Sequence, residues 1–209
     1  MPLARETIEL MVQAASPWYF EGDRHGLRDR EWMALRFLGR ANRFSRTPSA
    51  LASYIGATRA TASQIVKTLE KKTYLVRKPS HEDKRSVVLC VTSQGEKYLK
   101  QRDPINPVLN AVAALGTEEC IKLRDALREI LNQVDATDHR FNASTCRDCM
   151  FLSERGPSKG RATAEIMCRF YRAPISPDEI ELLCMSFERA SDRPKIDDHL
   201  DRALATSQG

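Results

Sequence analysis

The sequence of 209 residues predicts a mainly α protein with a small β-wing: a winged helix-turn-helix with a helical dimerisation region, followed by a small cysteine-ligated metal domain. Three observations predict it. A short helix, a tight turn, a longer helix and a hairpin succeed one another between residues 47 and 91. Apolar residues recur at helical spacing on both sides of that block. Four of the six cysteines fall after residue 140.

A first helix is expected over residues 6–20, with Ile8, Leu10, Met11, Ala14 and Ala15 on one side and a break near Gly22. A second is expected over residues 27–38, where Trp32, Leu35, Phe37 and Leu38 form an amphipathic set that Gly39 can close. Thr47 can cap the next helix, Pro48 suits its first position, Leu51, Ala52 and Ile55 face inward, and Gly56 ends it. Thr58 can cap again, opening a helix whose buried stripe is Ala62, Ile65, Val66 and Leu69. Arg59, Thr61, Ser63, Gln64 and Lys67 then face away from that stripe.

Residues 74–76 read as a strand, residues 78–86 as a polar turn and residues 87–91 as the returning strand. Helix resumes at Gln94 and is interrupted around residues 103–107 by two prolines, which cannot sit inside a regular helix. A last long helix is expected from Thr117, a possible cap, to about Val134, with Ile121, Leu123, Leu127, Ile130 and Leu131 apolar. The terminal helices carry more apolar surface than a lone wing domain can use, so they are expected to dimerise. The expected domains are residues 1–138, 139–190 and a polar tail over 191–209.

Charge is segregated. Between Arg40 and Arg102 stand fourteen Lys or Arg against four acids, while the whole chain carries only +5. Such a basic block suits a phosphate-rich partner, because neutralising phosphates releases condensed counterions. No stretch approaches the roughly 18 consecutive apolar residues of a membrane-spanning helix, and a cytoplasmic location with no membrane partner is expected.

The run ALASYIGATRATASQIVKTLEKKTYLVRK, followed by PSHEDKRSVVLCVTSQGEKYL, resembles the MarR family of winged-helix transcription regulators over about residues 5–135. The most specific part is the wing, where Asp83, Lys84, Arg85 and Ser86 stand at the family's Asp-x-Arg tip. The resemblance implies that the helix opened by Thr58 enters the major groove with Arg59, Thr61, Ser63, Gln64 and Lys67 facing DNA. It also implies that Arg85 reaches the minor groove and that Asp83 orients Arg85, while Lys84 either contacts a phosphate or is simply solvated. A homodimer on a pseudo-palindromic operator follows from the same resemblance. Where many relatives have a glycine, this chain has the turn Lys71-Lys72-Thr73.

The cysteines follow the pattern Cys146-x2-Cys149-x18-Cys168-x15-Cys184. Four thiolates can hold a tetrahedral zinc or a 4Fe-4S cluster. Structural zinc usually uses two paired knuckles; one CxxC plus two isolated cysteines favours the iron-sulfur cluster. Phe151, Phe170, Tyr171 and Phe187 could form a dry shell around it, and Arg147, Arg169 and Arg172 could offset its negative charge. A 4Fe-4S cluster is therefore the expected cofactor, with zinc as the alternative. Met150 after Cys149 excludes covalent haem attachment, and Cys90 and Cys120 read as core thiols.

The function expected is a DNA-binding transcription regulator, a repressor, whose cluster senses redox state, oxygen, nitrosative stress or iron. The alternative is a regulator that answers a small organic effector and carries a structural zinc. No catalytic constellation is legible: Asp178, Glu179 and Glu181 crowd a helix start, where the dipole explains them, and the four histidines are scattered. An enzyme is not expected.

Overall fold

The computed structural model describes residues 2–18, 23–80, 86–134, 143–155 and 165–189. It divides into two units, Met1–Asn142 and Ala143–Gly209. The first runs α1 (Pro2–Ala15), β1 (Asp23–Arg24), β2 (Leu27–Arg28), α2 (Asp29–Arg40), α3 (Pro48–Tyr54), α4 (Arg59–Lys71), β3 (Leu75–Pro79), β4 (Val87–Val91), α5 (Ser93–Arg102), α6 (Asn106–Ala113) and α7 (Thr117–Val134). No helix among the described residues is long and apolar enough to cross a membrane.

Threonine caps start three of these helices. Thr47 Oγ1 accepts from the Ala50 N–H at 3.2 Å, Thr58 Oγ1 from that of Thr61 at 3.2 Å, and Thr92 Oγ1 from that of Gly95 at 3.0 Å. Each bond satisfies one of the N–H groups that a helix start leaves unpaired, and each is worth about 1 kcal/mol. Gly56 follows α3 at φ +58°, the left-handed conformation that a side chain would resist.

The core lies where α2, α3 and α4 meet the hairpin of β3 and β4. Trp32, Leu35, Phe37 and Leu38 from α2 are buried with Leu51, Ala52 and Ile55, with Ala62, Ile65, Val66 and Leu69, and with Leu75 and Leu89. Phe37 stacks on Tyr54 at 4.2 Å, and Trp32, Tyr98 and Tyr74 form a column with spacings of 5.2 and 4.4 Å. Strands β3 and β4 are antiparallel, with Leu75 opposite Val91 and Pro79 opposite Val87.

Several local expectations are corrected. Helix α1 begins at Pro2 and ends at Ala15, followed by a 3-10 turn over Ser16–Trp18. Leu27 belongs to β2 and not to a helix, and Gly39 lies inside α2, which ends at Arg40. Gly39 is there for packing: a Cβ on it would lie 3.0 Å from Leu99 Cδ1. Lys78 and Pro79 extend β3 and are not part of the turn, because Val87 and Val88 offer paired partners to the end of the hairpin. The break after α5 stands where the prolines demand it, with Pro107 in the first turn of α6.

Asp103 fixes that break. Its carboxylate takes Arg36 Nε at 2.8 Å and Arg36 Nη2 at 2.6 Å, while Oδ1 also accepts from the Ile105 N–H at 3.1 Å. The pair ties α2 to the end of α5 from within a largely buried site.

In the second unit β5 (Ser144–Thr145) pairs with β9 (Leu183–Cys184), and β6 (Leu152–Arg155), β7 (Glu165–Cys168) and β8 (Ala173–Pro174) form an antiparallel sheet in that order. Ser176, Pro177 and Glu179 do form a capping box, but the helix they start is a 3-10 turn over Pro177–Glu179. Cys184 lies beyond that turn in β9, opposite Ser144. Glu154 is a residue of β6 opposite Ile166.

Candidate nucleic-acid interface and cysteine centre

Helix α4 presents the face that its sequence spacing dictates. With Ala62, Ile65, Val66 and Leu69 buried, Arg59, Gln64 and Lys67 are exposed and Thr61 and Ser63 are half-buried. Thr61 also serves the cap, its hydroxyl lying 3.0 Å from that of Thr58, so it has less freedom to reach outward than the sequence suggests. Glu70, the acid of this helix, pairs with Arg77 of β3 at 3.4 Å. That contact leaves Arg59, Lys67, Lys71 and Lys78 as exposed cations on α4 and the adjoining strand. Asp83, Lys84 and Arg85 lie outside the described residues.

The base of the hairpin is anchored by contacts that the sequence analysis missed. Thr73 adopts φ +63°, a conformation that β-branched residues rarely take. It is held there from both sides: Thr73 Oγ1 donates to Gln94 Oε1 at 2.7 Å, and Thr92 Oγ1 donates to the Thr73 carbonyl at 2.7 Å. Lys72 donates to the Gly26 carbonyl and lies 3.4 Å from Glu31. Gly95 is buried against this turn, and a Cβ on it would collide with the Tyr74 carbonyl oxygen. The signal that could have found these contacts is the missing glycine at Lys71-Lys72-Thr73, which announces a strained turn in need of support.

A short helix, a turn, a helix with an exposed basic and polar face, and an anchored hairpin are thus in place. Residues 25–86 match the MarR family model. The transcriptional repressor MprA of Escherichia coli K12 is 31% identical over 114 residues, which are 53% of this chain and 64% of the repressor. This chain therefore spans less than two thirds of that relative's length. Among solved structures, the regulator BldR of Sulfolobus solfataricus aligns with TM-score 0.45 at 19% identity, over 63% of this chain and 94% of that one. S. aureus MepR bound to ethidium bromide aligns with TM-score 0.41 at 20% identity, over 63% of this chain and 94% of that one. The MarR match ends at Ser86, so the cysteine unit lies beyond it.

In that unit the interior is made of thiols. Among its described residues the buried apolar side chains are Cys146, Cys168, Cys184 and Ile175; Cys149 is half-buried, and none is disulfide-bonded. Two strand pairs position them. Ser144 opposite Cys184 sets Cys146 near Cys184, and the Cys146 N–H donates to the Ile180 carbonyl at 2.9 Å. Leu152 opposite Cys168 sets Cys149 near Cys168, since the Leu152 N–H donates to the Cys149 carbonyl at 3.1 Å. The 3-10 turn over Cys146–Asp148 joins the two pairs.

The donor set thus fits a thiolate-bound metal in chemistry and burial. It does not fit in convergence: among the described residues no three His, Cys, Asp or Glu side chains form a group that could hold a metal ion. The expected shell is also corrected in part. Arg147 pairs with Glu181, and Arg169 donates to the Met150 carbonyl, so both guanidinium groups are engaged by partners other than sulfur. Phe151 and Phe170 stand 5.2 Å apart and Phe170 meets Tyr171 edge-on at 4.9 Å, but Phe170 is 52% exposed and leaves that side wet.

Proposed function

We propose that the protein is a sequence-specific DNA-binding transcription regulator of the MarR type, acting as a repressor and as a homodimer on a pseudo-palindromic operator. The observation that carries this reading is the exposed face of α4, held by a packed core beside a basic hairpin. Arg59 and Gln64 offer bidentate groups for base edges, while Ser63, Thr61 and Lys67 suit single contacts and phosphates. Lys84 and Arg85 extend the contact at the wing, Arg85 in the minor groove and oriented by Asp83.

The dimer reading rests on the terminal helices. Leu3, Ile8, Leu10 and Val12 of α1, Leu109 of α6, and Ile121, Leu123, Ile130 and Leu131 of α7 are exposed. Apolar surface spread over three helices of one chain calls for cover, and a second copy supplies the same faces.

The four cysteines are read as ligands of a 4Fe-4S iron-sulfur cluster. What supports this is an interior in which sulfur replaces the aliphatic residues that a unit of this size needs to fold. When bound, the group supplies a centre that oxygen, nitric oxide or loss of iron can alter. The chain's own part is to keep the thiols buried and to couple their arrangement to operator affinity, by about 1–3 kcal/mol or roughly 5 to 150-fold. Zinc in the same site would make the unit architectural. A signal would then enter as a small organic effector, for which an open basin of about 640 Å³ lined by His25, Gln101, Arg102, Asp103, Asn106 and Pro107 provides room.

The test is anaerobic purification followed by iron, sulfide and zinc analysis, and anisotropy titrations against duplexes selected from a random library. About four irons per chain, with loss on Cys146→Ala, supports the cluster; about one zinc per chain establishes the alternative. Arg59→Ala should weaken selected sites by about 1–3 kcal/mol, and Lys67→Ala should lower the salt slope by about one. Equal affinity of wild type and both variants would remove α4 from the interface.

A further inference from the structure

Glu70 and Arg77 join the recognition helix to the hairpin, the two elements that the interface reading sends into different grooves. Glu70 stands in the last turn of α4. No acid lies between it and Glu31, although Arg36, Arg40, Arg43, Arg46, Arg59 and Lys67 do. It follows Lys67 by three positions and Ser63 by seven, so it shares their flank of the helix. Arg77 is opposite Leu89 and alternates with Leu75, so its side chain leaves β3 on the face that those two leucines turn to the core. Arg77 Nη2 lies 3.4 Å from Glu70 Oε2, with the side chains 38% and 30% exposed. The backbone beneath the pair is fixed: the Thr73 N–H donates to the Glu70 carbonyl at 2.9 Å, and the Tyr74 N–H to that of Leu69 at 2.9 Å.

A helix in the major groove and a wing in the neighbouring minor groove have one sugar-phosphate strand between them, because that strand is the wall between the grooves. The seam that Glu70 and Arg77 span is therefore where the strand crosses the protein. A cation suits that place. A carboxylate repels the phosphates and competes with them for the guanidinium. The pair is open enough to water that breaking it shifts an equilibrium by no more than about fivefold, so a well-placed phosphate can take Arg77 from Glu70.

We propose that Glu70 and Arg77 are a specificity-determining pair: Glu70 withholds Arg77 from DNA until α4 and the wing are both seated, and the phosphate strand between the grooves then takes the guanidinium. The proposal rests on the reading of α4 and the wing as the DNA interface. On a random duplex, where the two elements do not seat together, Arg77 stays with Glu70 and adds nothing to affinity. On a selected duplex it adds a phosphate contact and the counterion release that goes with it.

The experiment uses the full chain in anisotropy titrations at several salt concentrations, on a duplex selected from a random library and on a scrambled duplex of the same length. Arg77→Gln should lower the salt slope on the selected duplex by about 0.9 and leave the slope on the scrambled duplex unchanged. Glu70→Gln should act the other way, raising the scrambled-duplex slope by about 0.9 and the affinity for that duplex by up to about fivefold, so that preference for the selected site falls. This gain should vanish when Arg77→Gln is added. Arg77→Lys keeps the charge and should keep the slope on the selected duplex. A loss there equal to that of Arg77→Gln would trace to the fold of the hairpin and overturn the proposal. So would an unchanged scrambled-duplex slope in Glu70→Gln, or a gain that survives the loss of Arg77. Lys67→Ala separates the two readings. If it lowers the slopes while the Glu70 and Arg77 variants leave them untouched, α4 stays on DNA and the pair alone fails. If none of the three moves either slope, the DNA reading fails and takes the pair with it.

Discussion

Removing the Asp103 carboxylate should be among the most damaging single changes in the first unit. Arg36 and Asp103 lie 67 positions apart, with side chains only 13% and 7% exposed, and three N–O contacts of 2.6 to 2.8 Å join them. Asp103→Ala strands a guanidinium that water reaches poorly, and breaking one side of such a pair costs about 3–5 kcal/mol. The Ile105 N–H loses its acceptor as well, which loosens the entry to α6. Replacing both partners, Arg36→Met with Asp103→Leu, removes the stranded charge together with the pair. It should recover most of the loss, because the Coulombic gain of a buried pair roughly offsets its desolvation. Urea unfolding followed by tryptophan fluorescence suits the measurement, since Arg36 sits 5.7 Å from the buried Trp32 ring. A loss under about 1 kcal/mol in Asp103→Ala, the level of an exposed pair, would refute the claim that this contact is shielded. A double variant as unstable as the single would refute the charge argument.

Three further outcomes are expected. Thr73→Ser should raise stability by up to about 1 kcal/mol, because serine keeps the hydroxyl that donates to Gln94 and lacks the β-branch that resists a φ of +63°; thermal unfolding checks it. Gly95→Ala should lower stability by about 1–3 kcal/mol, since the Tyr74 carbonyl that its Cβ meets is backbone and cannot swing aside; an unchanged midpoint would show that the hairpin base can yield. Burial raises the Tyr171 phenol above its ordinary 10.0, against the lowering effect of its bond to Ser186, while the charges of Cys184 and Cys168 add to the rise. The unfolded chain therefore ionises first, so this contribution is intact below pH 10 and is lost as pH climbs through the raised value. Alkaline titration of the metal-free chain should show that loss, and Tyr171→Phe should lack it.

The elements that could be read from the sequence are those whose cause lies within a few positions. Thr47 and Thr58 each cap an N–H three residues on, and such a bond needs no partner from elsewhere in the chain. The stripe of Ala62, Ile65, Val66 and Leu69 was legible for the same reason: helical periodicity by itself puts those four side chains on one face and Arg59, Gln64 and Lys67 on another. The proline break before α6 is likewise a local steric fact. The bases that this face would contact are a different matter, since the face alone does not define them.

Only the tertiary structure decided the rest. Gly39 reads as a helix stop, yet α2 runs through it to Arg40, and Leu99, sixty residues later, packs close to where a Cβ on it would lie. Cys184 follows a well-formed helix start but joins a strand, because Ser144 offers it a backbone partner and a 3-10 turn is all that the capping box obtains. Asp103 with Arg36, Thr73 with Gln94 and Tyr171 with Ser186 pair residues between 15 and 67 positions apart. Composition fixes which groups are available for such pairs. Their choice depends on which surfaces the packed elements bring within hydrogen-bond reach, and that distance exists only once the chain has folded.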